Sequence, residues 1–519
     1  MLEITPRPLL RALCLSVSLS IAGCGSDVGA PGVAVIVATG GPAPGLDAEY
    51  RFGGTADHYA MGADGHVVFS GQANVENGNA RTRIEAIWFG RPGSIQPIAR
   101  VADPLPGADD DAALSGFSPR PMIVTRGGAV GFVVQTTRRT VGASSEALLA
   151  RHDDELRTVA ATGDEVPAPN GAGRLMRINQ FAMSEAGVLL MGTYARRETA
   201  IWFWDSSTLQ LVAGDRGTLT LGDVQCQVGS LASTTLDMNA AGIAVFRVSL
   251  VGNACPRQAM VAWNARDASF TTVASSRAPI APGADEFFQS LTADARIGDA
   301  GTVALHGNVY LNSASNRAAR EMMLVQASPG APSVALIDTQ TTFEAEPDVE
   351  LTHTIHGDGM AAVGERELVH FVRSNRDRIL LRTTLGDEPA HTLIAHSGTT
   401  LDGQAAARIG NAQVNRRGDV VFTSFVDDGP VGGVYQQELW RAGHSNALTR
   451  IAFAGRPIDG RDGETIESID TGSQSHEPTT EGTEGGRSRR ISDAGEVMFS
   501  GRLRKGTQSH RALFVARFE

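Results

Sequence analysis

One pattern recurs eight times along this 519-residue chain and limits what it can fold into. An apolar residue is followed by three turn-forming residues, a glycine, and an alternating apolar strand, as in Ile491-Ser-Asp-Ala-Gly-Glu-Val-Met-Phe499. The glycines are Gly65, Gly128, Gly187, Gly242, Gly301, Gly359, Gly418 and Gly495, separated by 63, 59, 55, 59, 58, 59 and 77 residues. Four places before them stand Met61, Val124, Met183, Met238, Ile297, Ile355, Val414 and Ile491. Four places after stand Phe69, Phe132, Met191, Phe246, Leu305, Val363, Phe422 and Phe499. A near-constant period of this kind means one supersecondary unit copied and stacked. It overrides the three or four domains that length alone suggests.

The third unit shows the type. Arg174 to Met183 reads as a first strand, ending in the turn Ser184-Glu185-Ala186-Gly187. The glycine suits a left-handed backbone, and Asn, Asp or Ser upstream can bond the turn. Asn239 and Asn415 share the slot of Ser184, and Asp299 and Asp493 lie one place on. Val188–Tyr194, Thr199–Trp204 and Leu209–Ala213 follow as second, third and fourth strands. Four short antiparallel strands repeated in this way predict an all-β fold built of propeller blades. The ends sharpen the reading. The chain opens on Val33-Ala-Val-Ile-Val37, which matches a fourth strand, and closes on Ala512 to Phe518, which matches a third. An eight-bladed β-propeller of four-stranded antiparallel blades is expected, its ring closed by the N-terminal strand joining the last blade. The rival is an open β-solenoid, which needs no strand exchange. In the last unit, a polar acidic stretch at about 468–488 is expected to be a mobile loop within a single domain spanning 33–519.

The net charge of −12 argues against a nucleic-acid binder, since neutralising phosphates needs a basic surface. Lys505 is the single lysine, a bias that a GC-rich genome produces without functional cause. Arg7 and Arg11 precede a short apolar run, Leu13 to Ile21, and then comes Ile21-Ala22-Gly23-Cys24. This resembles the leader and lipobox of bacterial lipoproteins. The resemblance implies a signal peptide over 1–23, cleavage before Cys24, acylation of its sulfur and new amino group, and a tether over 24–32. Gly25 at the following position implies the outer membrane. The alternative is an ordinary secretory signal with an incidental cysteine. No other apolar run approaches the ~20 residues that span a bilayer. With Cys14 in the leader and Cys24 lipidated, Cys226 and Cys255 remain in an oxidising compartment and are expected to pair.

Asn239-Ala-Ala-Gly242 and Asn415-Arg-Arg-Gly418 fit a motif N-x-x-G, and Gly163-Asp-Glu-Val-Pro-Ala-Pro169 fits G-D-x-x-P-x-P. On these residues the chain, over about 33–517, resembles a tandem-repeat family of secreted and surface-anchored bacterial proteins. The resemblance implies fold and export. It carries no activity.

No nucleophile elbow, His-Glu-x-x-His helix or phosphate-cradling loop is present, which weighs against the common hydrolases. Propeller enzymes are not excluded, because their sites gather from separate blades. His353, His356, His370, His391 and His396 fall close together, where zinc would need three or four converging ligands. Packed or solvated histidines are the expectation, and no metal or other cofactor is assigned. Asp109-Asp110-Asp111 could lend oxygens to calcium but lacks an EF-hand's spacing and reads as a solvated loop. Loops between second and third strands share one face with the crossings between blades. They carry Arg138, Arg139, Arg196, Arg197, Arg257, Arg502 and Arg504. Guanidinium forks suit carboxylates and phosphates, so this rim is a candidate anion-binding surface. The reading is a monomeric, lipid-anchored envelope scaffold at the outer membrane, periplasmic or surface-facing, that binds an anionic glycan or an envelope protein. The alternative is a glycan lyase or hydrolase with its site at the channel mouth.

Overall fold

A computed structural model describes residues 32–54, 58–77, 80–108, 112–118, 120–137, 145–195, 197–231, 234–311, 320–338, 341, 351–353, 360–363, 367–374, 377–386, 389–427, 435–443, 447–470 and 491–518. Among them every regular element is a β-strand, and the strands form eight antiparallel sheets. Each sheet is one blade. In blade 3 a short strand, Glu165–Ala168, precedes Gly171–Ser184, Gly187–Tyr194, Glu198–Trp204 and Leu209–Gly214, paired in chain order. The first strands touch those of adjoining blades around most of the ring, so they stand nearest the axis. The turns between first and second strands define a first face. The loops between second and third strands, with the crossings between blades, define a second.

There is no single core. Eight apolar clusters each fill the space between two adjoining blades. Alternation along the strands explains this, since odd and even residues pack against opposite neighbours. Between blades 2 and 3, for example, Leu148 and Ala150 meet Leu190, Trp202 and Trp204. Trp88 and Trp202 are fully buried, and each indole N–H reaches a carbonyl of the crossing that leads into its own blade, Pro44 at 3.0 Å and Pro167 at 2.6 Å. A buried aromatic of this size contributes roughly 2–3 kcal/mol while its one polar atom stays satisfied.

The ring closes as expected. Gly32–Ala38 pairs antiparallel with Gln508–Arg517, giving a last blade whose outermost strand is the N-terminal segment. Val33 and Ala38 pack toward blade 7, and Val37 toward blade 1. The turn glycines Gly65, Gly128, Gly242, Gly301, Gly418 and Gly495 have φ between 75° and 87°, and Gly187 has 143°. At Gly187 a Cβ would collide with the Trp204 carbonyl, so glycine is required there for space as well as for φ.

Blade 6 departs from the sequence reading. Met360–Val363 pairs with Glu367–Ser374, with Val363 opposite Leu368, so Val363 closes the first strand and does not belong to the second. Residues 364–366, between the two strands, and Gly359, Ile355 and His356 lie outside the described residues. The short run Met360-Ala-Ala-Val363 fits either strand. Glu367–Ser374 wins because it pairs with Asp377–Thr384 in unbroken register over all eight residues. In blade 8, the strand Glu464–Asp470 runs past position 468, and 471–490 lie outside the described residues.

Candidate functional site

The first-face turns meet at the axis. In the slot three before the glycine, Thr125, Ser184, Asn239, Asn415 and Ser492 each accept a backbone N–H of their own turn, as their chemistry predicts. The two asparagines do more. Asn239 Nδ2 donates to Gly298 O at 3.1 Å and Asn415 Nδ2 to Ser492 O at 3.2 Å, each in the next blade. A serine has no second group to reach across, which explains the asparagine of the repeat.

Asp299 and Asp493, one place further on, point at the preceding blade. Asp299 Oδ1 accepts Ala240 N at 2.9 Å, and Asp493 Oδ1 accepts Arg416 N at 3.3 Å. Glu185 in the same slot accepts Gly127 N. The other oxygens face arginines across the axis. Arg126 Nη2 lies 2.9 Å from Asp493 Oδ2 and its Nη1 3.9 Å from Asp299 Oδ2, while Arg416 Nη2 lies 2.5 Å from Asp299 Oδ2. Blades 2, 5, 7 and 8 thus contribute one charge each to a closed lattice that bridges the channel at its first-face end. Asp299 is only 8% exposed, so its pairs are screened less than those between fully exposed ions.

The second-face end is built differently. Seven first strands carry a β-bulge at one shared position, between Leu114 and Gly116, Leu175 and Arg177, Val228 and Ser230, Phe288 and Ser290, Leu351 and His353, Ala406 and Arg408, and Ile466 and Ser468. The extra residue lets apolar side chains three apart share one interface, as Leu175 with Ile178 and Phe288 with Leu291 do. Bulges also leave backbone groups unpaired. Arg120 of blade 2 donates to the carbonyls of Ile178 and Asn179 just past the bulge of blade 3. Burial lowers the Arg120 pKa, and Glu146 at 2.9 Å opposes that shift.

Of the rim arginines, Arg197, Arg257, Arg502 and Arg504 are exposed at the second face. Arg504 lies 3.8 Å from Glu467, and Arg502 donates to Ser509 at 3.4 Å. Arg197, Arg257 and Arg502 have no carboxylate partner among the described residues. They belong to blades 3, 4 and 8. Arg138, Arg139, Arg196, Cys24 and Asp109 to Asp111 lie outside the described residues.

Cys226 and Cys255 form a disulfide, with Cα atoms 5.8 Å apart. Cys226 belongs to the strand Val224–Ser230, so the bond lies wholly within blade 4 and does not start from a loose crossing. In blade 6, the His370 Nε2 lies 2.8 Å from Thr383 Oγ1, which lies 2.9 Å from His391 Nδ1. Burial pushes the fully buried His370 down to about 3 and lowers His391 as well. Both are therefore neutral packing groups at neutral pH. His396 Nδ1 lies 2.5 Å from Ser397 O.

No curated protein matches the chain. Similar solved structures include the β-propeller domain of the Trilobed protease from Pyrococcus furiosus, 10% identical, covering 78% of this chain and 94% of that one, with a TM-score of 0.34. Another is an oligogalacturonate lyase in complex with manganese, 10% identical, covering 88% and 99%, with a TM-score of 0.38. A third is an ulvan lyase from a new family of polysaccharide lyases, 8% identical, covering 80% and 95%, with a TM-score of 0.31. None of these carries a residue's role to this chain. Residues 61–517 match a family described as of unknown function, and the chain belongs to that family, DUF7453.

Proposed function

We propose that the protein is a lipid-anchored binding module of the bacterial cell envelope, which holds an anionic partner on its second face. The observation that carries this reading is the asymmetry of the two faces. At the first face Arg126, Arg416, Asp299 and Asp493 neutralise one another. At the second face the guanidinium groups of Arg197, Arg257 and Arg502 are exposed without a carboxylate partner among the described residues.

Topology adds a direction. The third strand of blade 8 runs from the second face at Gln508 to the first face at Arg517, and Gly32 pairs with Arg517. A chain lipidated at Cys24 therefore enters the ring on the first-face side. From Cys24 to Gly32 it reaches about 28 Å at full extension.

Two measurements test this. Wild type, but not Cys24→Ala, should incorporate labelled fatty acid and fractionate with membranes; equal behaviour of the two would refute the anchor. The purified protein should bind an anionic envelope polymer with an affinity that falls as salt rises. Turnover of any glycan in the same panel would instead favour an enzyme.

A further inference from the structure

The bulges put a second set of arginines where sequence periodicity did not look. Arg177 and Arg408 stand at the same bulge position, the one that resumes pairing with the second strand, opposite Thr193 and Phe425. They belong to blades 3 and 7, four apart in a ring of eight, and so stand on opposite sides of the ring at its second face. Both are exposed, and neither has an ion-pair partner among the described residues. The Arg408 guanidinium lies 5.7 Å from the Phe425 ring centroid, which holds it without neutralising it. Arg177 lies near enough to Arg120 to disfavour that residue's charge, and Glu146 is already engaged by Arg120. Two like charges on first strands are thus left without counter-ions among the described residues.

The equivalent position in other blades is occupied by Gly116, Ser230, Ser290, His353 and Ser468. Four of these five are small and leave room between the two arginines, and serine hydroxyls both donate and accept. Glu467, the carboxylate of this ring, is held by Ser509 and lies 3.8 Å from Arg504. Planar guanidinium forks bind carboxylates in bidentate geometry. Hydroxyl groups at intervals match sugar hydroxyls.

We propose that the second-face mouth of the channel is a binding site for an acidic oligosaccharide, whose carboxylates are gripped from opposite walls by Arg177 and Arg408. The site rests on the reading of the protein as a binding module, and it makes the mouth the specific site and the outer rim its steering field.

The test is titration of a fluorescent alginate oligosaccharide, a uronate at every ring, into the purified full-length protein. Uncharged dextran, dextran sulfate and phosphatidylglycerol vesicles run as parallel arms. Alginate should bind, dextran should not, and Arg177→Ala and Arg408→Ala should each weaken binding by about tenfold or more. Arg177→Lys should recover part of the loss, since it restores charge without the fork. Both arginines are exposed, so the variants should melt as wild type does. Alginate binding that ignores Arg177 and Arg408 but collapses in the combined Arg197, Arg257 and Arg502 alanine variant would overturn the mouth and leave the binding module standing. Tighter binding of dextran sulfate or of vesicles would overturn the acidic-sugar assignment. No binding in any arm would overturn both.

Discussion

The Asn415 side chain works in two directions at once. Its carbonyl oxygen caps its own turn at Asp419 N, and its amide reaches Ser492 O in the next blade. Asp419 is held in turn by Arg417 and Arg441 at 3.2 and 2.7 Å. Single residues of this kind convert a local turn into an inter-blade contact. His370 has the opposite character, a titratable group sealed into a blade. Its folded value of about 3 lies below the ordinary ~6.5 of a free imidazole, because burial disfavours the cation. Between those values the unfolded chain binds more protons than the folded one. Stability from this group is therefore complete above about pH 6.5 and falls as pH drops toward 3, by up to about 1.4 kcal/mol per pH unit. His391 is shifted in the same direction and adds to the fall. Urea unfolding across that range should show His370→Gln less stable than wild type at neutral pH but with a shallower decline in acid. Parallel declines would remove His370 as the cause.

At the scale of the element, the strands were readable because each blade repeats one apolar alternation. Third strands such as Ala259–Trp263 and fourth strands such as Val273-Ala274 fall where the pattern places them. Alternation also hid the bulges. Phe288 and Leu291, or Ile466 and Ile469, are three apart on a strand, a spacing that cannot face one side without an inserted residue. That spacing was the available signal for the bulges, and so for Arg177 and Arg408. Blade 6 was misread because Arg366 stands directly before the strand Glu367–Ser374, where other units have glycine, while Gly359 falls on the sequence period. The axial lattice had a fainter signal. Charged residues recur two before the glycine, at Arg126, Glu185, Asp299, Arg416 and Asp493, but nothing local says that positions 367 residues apart will touch. The bulge makes a sharp prediction. Gln289 is exposed and its side chain should be dispensable, so Gln289→Ala should shift stability by less than about 0.5 kcal/mol. Deleting Gln289 leaves Phe288 and Leu291 two apart and still on one face, opposite Val309 and Gly307, whereas deleting Gln289 and Ser290 together makes them adjacent and turns buried Leu291 off its interface, for a cost of about 3 kcal/mol or more. Thermal melts of the two deletions should therefore differ widely, and equal melts would refute the register argument.

For the whole molecule the decisive contact is between the ends of the chain. Without Gly32–Ala38 the strand Gln508–Arg517 becomes an edge, and Leu513, Phe514 and Val515, all nearly fully buried, lose cover on one side. Val37 leaves the cluster it shares with Phe52, Trp88 and Leu513, which loosens the seam between blades 8 and 1. A protein lacking residues 32–38 should therefore lose its single cooperative transition and associate through the bared edge. Loss of stability on truncation alone does not separate closure of the ring from simple loss of apolar area. A permuted chain does. Gly32 lies opposite Arg517, so a turn of about two to four residues can join Phe518 to Gly32, as in a β-hairpin, with the new N-terminus at Thr39. Every strand then keeps its partners, and blade 8 becomes four consecutive strands of one chain. If the exchanged strand serves to complete the blade, the permutant should melt within a few degrees of wild type and far above the truncated protein. If the exchange itself clasps the ring, because blade 8 cannot separate from blade 1 while its outer strand is the start of the chain, the permutant should unfold faster than wild type at an equal equilibrium midpoint. Unfolding rates in urea, measured beside the midpoints, distinguish the two. A permutant no better than the truncation would show that neither account of the closure holds.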